Sequence, residues 1–559
     1  MWQHNYAPVG GSLALSALAA VIPLVVLFLM LGVARKPTWM SALSALSSAL
    51  VVSLLVYGMP VKLALISAVY GAAYGMFPIA WIVFASMMLY RLAVDTGKFE
   101  IIKDSVGSLT DDRRLQALFI AFSFGAFIEG AAGFGAPVAV AGAMLAGLGF
   151  NPFFAAGICL LANTSPVAFG SIGIPVTTLA NVTGLPVLAL SAMIGRLSAM
   201  MSVLIPGYLL VVMAGRTRAL QVLPAIVACG VSFATTQLLV SNFIGPELTD
   251  ILSSLTCIIV MVGVLRLWKP KTIFRLEGEH AATLTTHRHT AGELFTAWLP
   301  YLLLVVAVLV VGAPSIKSAI DHWTNGLIAS VSIKSATVAN GLNVPGLHNA
   351  ITRIPPVVAR PAPYAAVFTF NWLSASGSAC FLALLAAAAF LRVRPKRLAG
   401  IYTATFRQMS KAMVTIASML ALAYLMNYSG MTSTLGLMLA GTGTAFPFFS
   451  AVVGWLGVFL TGSDTSANAL FGNLQVVTAN ALGLNPILTA SVNSAAGVMG
   501  KMISVQSIAV AVAATGMSHA DEGRLFRFTI KHSILLMLAM AIVSMLYAYV
   551  FPQAVPAAP

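Results

Sequence analysis

Glu129 is the one charged side chain in the 81 residues from 115 to 195, and Asp464 is the one among the 89 residues between Lys411 and Lys501. Both stand in Gly-rich stretches of one cast: residues 125–137 read GAFIEGAAGFGAP, and residues 457–469 read GVFLTGSDTSANA. A carboxyl group in an apolar run has two uses. It can load and release a proton, or it can hydrogen-bond an opened helix turn as a permanently neutral acid. Glu129 has no adjacent base, which suits it to carry a proton. Asp464 sits among Thr461, Ser463, Thr465, Ser466 and Asn468, hydroxyls and an amide that suit a small polar anion. Lys501 has two readings as well. It is either an ion-pair partner for Asp464 or the positive charge that attracts a substrate carboxylate, with Asp464 as competitor or second proton site. Arg196, in SAMIGRLSAM, is another candidate anion ligand, or a side chain that snorkels to the surface.

The elements that position these groups must be broken helices. Asn163 opens NTSPVAFGSIGIPV, 38 residues after Gly125; Asn493 opens NSAAGVMGKMISV, 36 residues after Gly457. In each block a Gly follows seven positions on, Gly170 and Gly500. Gly and Pro inside a membrane helix free backbone groups, which is tolerated where they face protein or a water-filled cavity. Half-helix N-termini then offer amides to an anion, and unwound carbonyls offer oxygens to a cation. Paired breaks in two halves therefore predict a midplane site from Gly130, Gly133, Gly135, Asn163, Thr164 and Ser165 with Asn493 and Ser494. Close packing through small residues is the competing use of such segments.

Composition sets the class of the molecule. The chain of 559 residues is 59% hydrophobic and 8% charged, with mean hydropathy +0.95. Soluble domains carry about 25% charged residues, so a soluble fold is excluded. Apolar runs of span length, without the alternation of a β-barrel, predict an all-α polytopic membrane protein of about 12–14 transmembrane helices. Two repeated halves are expected, with broken or re-entrant helices at the midplane. The first covers residues 1–267 with its core at 114–185; the second covers 293–559 with its core at 446–517. One of the apolar runs, near residues 65–92, carries a break at GAAYGMFP.

The net charge of +15 falls in short basic clusters between the spans, so it reports topology and not nucleic-acid binding. By this rule loop 268–292 is cytoplasmic, loop 314–371 is extracytoplasmic, and both termini lie outside. His287 and His289 flank Arg288 in the first loop and read as solvated residues, not metal ligands. The four cysteines read as small buried hydrophobes. Neither H-E-x-x-H nor G-x-S-x-G occurs, so no enzymatic centre and no cofactor is predicted.

At these residues the chain resembles the L-lactate permease family of bacterial inner-membrane transporters. The matching stretches include NYAPVG near the start, FGAFIEGAAGFGAPVA at 124–139, NTSPVAFGSIGIPV at 163–176 and SNFIGPELTDI at 241–251. NYSGMTSTL at 427–435, GWLGVFLTGSDTSANALF at 454–471 and GKMISVQSIA at 500–509 also match. Residues 364–377 are similar but carry neutral Thr369 and Asn371 where a charged pair would not be surprising. The resemblance implies proton-driven uptake of L-lactate and related short 2-hydroxy monocarboxylates, D-lactate and glycolate. It supplies no set of site residues; those come from buried charge and helix breaks. Two other classes stay open: a sodium-coupled carboxylate carrier, with Asn163, Thr164, Ser165, Asn493 and Ser494 as ligands, and a channel or membrane enzyme.

Overall fold

In a bilayer the backbone must satisfy its own N–H and C=O groups, so apolar runs become helices. The computed structural model describes residues 1–107, 109–133, 135–275 and 289–558. Among these, 11 helices are long and apolar enough to cross a membrane, or 12 with the bent pair Pro486–Lys501 and Val505–Ala514, which meet at 42°. The count of 12 meets the lower end of the 12–14 predicted from sequence; Ala136–Gly147, Pro152–Ala162 and Ser376–Phe390 are apolar but too short to pass alone. The break expected near residues 71–78 falls at Phe77. Its backbone leaves the helical region (φ −140°, ψ 125°) ahead of Pro78, between Val61–Tyr74 and Trp81–Asp95.

Two segments hold the chemistry, and they share one order of elements. Residues 113–131 form a continuous helical rod, opening at Arg113 and closing with Gly125–Ala131; the chain leaves the helix at Ala132 and Gly133, and Ala136–Gly147 starts after Gly135. A turn leads to Pro152–Ala162, and after a second break comes Ile174–Thr183. In the second segment Phe446–Thr461 breaks at Gly462 and continues as Asp464–Leu482. A turn then leads to Pro486–Lys501 and, after a break, Val505–Ala514. The two turns are built alike. LGFNP at 148–152 and LGLNP at 482–486 each place Gly at positive φ, Gly149 at 98° and Gly483 at 67°. Asn151 and Asn485 then cap the next helix by accepting from Phe153 N and Ile487 N, with Pro in the first turn.

The second parts of these broken rods cross over. Ile174–Thr183 packs on Asp464–Leu482, while Val505–Ala514 packs on Ala136–Gly147 and Pro152–Ala162. Two clusters of buried side chains fill the interior, and neither is confined to one half of the chain. One draws mainly on residues 93–261 and 451–555; the other draws on 20–92 and 304–474.

At one face, Trp2–Gln3 pairs in parallel with Ile351–Thr352, which ties the N-terminus to segment 314–371. That segment also holds the helix Pro314–Leu327 and a second strand pair, Gly341–Asn343 with Val367–Thr369. His4 Nε2 donates to the Tyr428 carbonyl at 2.9 Å and anchors the same terminus to the helix Pro395–Ser429. The opposite face corrects an expectation. Arg113 and Arg114, read from sequence as loop charges, are buried. The Arg114 guanidinium pairs with Asp112 at 2.7 Å and donates to the carbonyls of Arg218 and Thr272, so it fastens three connections together. Of the loop histidines, His289 Nε2 lies 3.1 Å from Asp104 Oδ2, and His287 and Arg288 fall outside the described residues.

Candidate functional site

The breaks exist to end helices at one point. Ala136–Gly147, Ile174–Thr183, Asp464–Leu482 and Val505–Ala514 all begin at the wall of a cavity of about 480 Å³. Gly135, Ile174, Ser463, Asp464, Gln506 and Ser507 line it there. Four helix N-termini thus aim positive dipole ends and unspent amides at one volume, an arrangement suited to an anion. The size fits the range of small-molecule sites, about 300–1,000 Å³. Its mouth is lined by Pro37, Thr38, Trp39, Gln408 and Lys411, and Pro37, Gln408 and Lys411 are exposed there. This is the face of the basic pair Arg35–Lys36.

At the foot of the cavity stand Glu129, Lys501 and Asp464. Lys501 Nζ lies 3.0 Å from Glu129 Oε1, with side-chain exposures of 13% and 4%. Of the two readings of Lys501, the one that pairs it with Asp464 is not met: its partner is Glu129. The two halves meet through it, because Glu129 lies on Gly125–Ala131 and Lys501 ends Pro486–Lys501. Asp464 instead accepts from Ser494 Oγ at 2.5 Å and from Asn468 Nδ2 at 3.3 Å. Among the described residues, Glu129 Oε2 and Asp464 Oδ1 have no hydrogen-bond partner. Each carboxyl keeps one oxygen in reserve.

The hydroxyl-rich stretch divides in two. Thr461, Ser463, Thr465 and Ser466 line the cavity; Ser463 also caps the helix by accepting from Ser466 N. Asn468 and Asn493 do not line it. Asn493 Nδ2 donates to Asn468 Oδ1 at 2.9 Å, and Gln475 Nε2 donates to Asn493 Oδ1 at 3.1 Å. Asn468 also donates to the Pro175 carbonyl across the halves, at 3.2 Å. Asn468, Asn493 and Ser494 thus brace Asp464 from behind, which revises their expected role as direct ligands.

The first half is sorted in the same way. Gly133 and Gly135 line the cavity at φ 63° and 83°, a backbone region that glycine alone enters without strain. Gly130 does not line it. A Cβ there would stand 2.9 Å from Asp250 Cβ, so Gly130 serves close packing against Thr249–Leu267. Asn163 and Thr164 border a side recess of about 10 Å³ that also touches Lys501. Both amide atoms of Asn163 and the Ser165 hydroxyl lack a partner among the described residues, and such a recess has room for about one water. Arg196 lies elsewhere, in a groove with Tyr547, bound to Asn242 and to the Ala554 carbonyl. It does not join the cavity.

Sequence reasoning missed Gly170, Ser171, Gln506 and Ser507, which line the site. It also missed Asp250, read as the start of a span and in fact 2% exposed. The signal for Asp250 was Gly245–Pro246 just ahead of it, a break like the others.

The profile of the L-lactate permease family matches residues 16–551. The L-lactate permease of Bacillus subtilis is 48% identical, over 99% of this chain and 100% of that one. The glycolate permease GlcA of Escherichia coli is 44% identical over 98% of each chain. The L-lactate permease of Escherichia coli is 43% identical over the whole of both.

Proposed function

The chain belongs to the L-lactate permease family, and on that premise we propose that it imports L-lactate and related short 2-hydroxy monocarboxylates, D-lactate and glycolate, by proton symport across the bacterial inner membrane, with both termini outside. The observation that carries this reading is the Glu129–Lys501 pair at the foot of a cavity ringed by helix N-termini.

The pair couples the two fluxes by charge balance. Empty, Lys501 and Glu129 sum to zero. An entering carboxylate takes Lys501 as its partner, and the released Glu129 is then an uncompensated buried charge, which is strongly unfavourable. A proton on Glu129 restores neutrality. With Asp464 holding its own proton in both states, the empty carrier and the fully loaded carrier are neutral at the site, and lactate without its proton is the costly state. Ser463, Thr465, Ser466 and Ser507 provide hydroxyls for the neighbouring 2-hydroxyl. The shared element order, the LGxNP turns and the crossed packing support a reading as two structural repeats with the site between them.

The test is labelled L-lactate flux into proteoliposomes under an imposed pH gradient, with sodium replaced by choline. Uptake should follow the gradient and ignore the cation exchange. Uptake that needs sodium and disregards pH would overturn proton symport and favour the sodium-coupled carrier.

A further inference from the structure

The charge balance above uses Glu129 and leaves a second buried acid unexplained. Asp250 is 2% exposed, and neither Oδ1 nor Oδ2 has a hydrogen-bond partner among the described residues. An ionised carboxylate cannot be left unpaired in such a place without a large penalty, so this group is at rest as the neutral acid. Its position is not incidental. It begins the helix Thr249–Leu267 directly against Gly130, the residue after Glu129, at the backbone approach that only glycine allows. Both Glu129 and Lys501 lie within electrostatic reach of it. Three residues earlier, ahead of the helix, stands Glu247, whose Oε1 accepts from Ser376 Oγ at 3.2 Å. Ser376 opens the helix that follows segment 314–371, the segment tied to the N-terminus. Glu247 itself is only half-buried. Asp250 therefore adjoins Glu129 across the Gly130 contact and follows the less buried Glu247 by three residues in the chain.

Resting on the symport reading, we propose that Asp250 is a proton relay that connects Glu247 to Glu129 by a route separate from the substrate cavity. When a substrate carboxylate takes Lys501, the freed Glu129 accepts a proton. The O–H bond at Asp250 breaks as one forms at Glu129, directly or through one water. Asp250 is then reloaded from the side of Glu247. The charged groups that act on Asp250 are Glu129 from Gly125–Ala131 and Lys501 from Pro486–Lys501; Glu247 stands three residues before it on the same connection, with Lys317 near it. The neighbouring helix Leu223–Phe243 carries no charged side chain, and the turn Ser171–Gly173 adds none.

Asp250→Asn tests the relay, because asparagine copies the shape of the neutral acid and cannot pass a proton. In proteoliposomes, a one-unit pH gradient on one proton supports about tenfold accumulation. The variant should fold with wild-type thermal stability and still exchange labelled for unlabelled lactate at equal pH. Its gradient-driven accumulation should collapse to near equality across the membrane, and its initial uptake should lose dependence on external pH. Glu247→Gln should flatten the same external pH profile. Wild-type accumulation and pH profile in Asp250→Asn would sink the relay. So would loss of the folded protein, or loss of exchange and accumulation in equal measure, since either marks a structural acid. A wild-type protein indifferent to the gradient would sink the symport reading and the relay together.

Discussion

A single atom exchange at Glu129 separates coupling from binding. Glu129→Gln keeps size and hydrogen-bonding capacity but loses the titratable proton, so uphill accumulation of lactate should be abolished while some exchange persists. Full accumulation by this variant would remove Glu129 from the coupling. Lys501 asks a different question. Lys501→Met leaves Glu129 uncompensated, which costs about 3–5 kcal/mol in soluble proteins. The double variant Glu129→Gln/Lys501→Met should recover thermal stability in detergent but not lactate affinity, because the positive locus is gone in both. Recovered affinity would show that the helix-end amides hold the anion unaided. Glu129, Asp464 and Lys501 were legible as buried charges because so few interrupt the apolar runs. Their pairing was not. Lys501 meets a residue 372 positions away and passes over Asp464, nearer in the chain, whose Oδ2 is held by Ser494 and Asn468. Such a choice is made by packing, which sequence spacing does not encode.

The helices are held at the site by backbone-to-backbone contact, and this sets the test for elements. Gly454 and Gly500 let Phe446–Thr461 and Pro486–Lys501 touch. A Cβ on Gly500 would stand 2.3 Å from the Trp455 carbonyl oxygen, and one on Gly454 would stand 2.2 Å from that of Asn493. Backbone cannot step aside as a side chain does. Gly500→Ala should therefore cost about 1–3 kcal/mol of stability and impair uptake, since Lys501 is the next residue. Gly523→Ala, with open space around it, is the control and should change neither. A Gly500→Ala protein that melts and transports like the wild type would show that the two helices tolerate separation. Element types were legible from run length and from Gly and Pro. Their ends were less so: the helix Pro395–Ser429 runs well ahead of the apolar stretch that follows Lys411, because its first turns are polar yet still helical.

For the molecule as a whole, the cavity opens at one face and its foot is closed from the other. Tyr70 and Tyr74 both donate to the Val367 carbonyl, and Tyr424 donates to that of Asn181 at 3.3 Å. These bonds tie segment 314–371 and the helix Ile174–Thr183 to the other core at the closed end. A cysteine at Thr415, on the cavity wall, should react with a membrane-impermeant maleimide in inside-out vesicles and not in right-side-out ones. Equal labelling from both sides would mean a pore and revive the channel reading. The membrane class and rough span count were legible from composition alone. The division of the interior was not. Two buried clusters each recruit from both ends of the chain, since the second parts of the broken rods cross between the halves.

That crossing has a consequence for how the protein is made. Glu129 enters the bilayer with the first segment, 372 residues before Lys501 leaves the ribosome. At about 5–20 residues per second, that interval lasts on the order of tens of seconds. Throughout it the carboxyl has no cation to meet and Asp464–Leu482 does not yet exist to cover Ile174–Thr183. The first half is therefore inserted before the contact that will join it to the second, and the ion pair at the cavity is closed only when the last helices arrive.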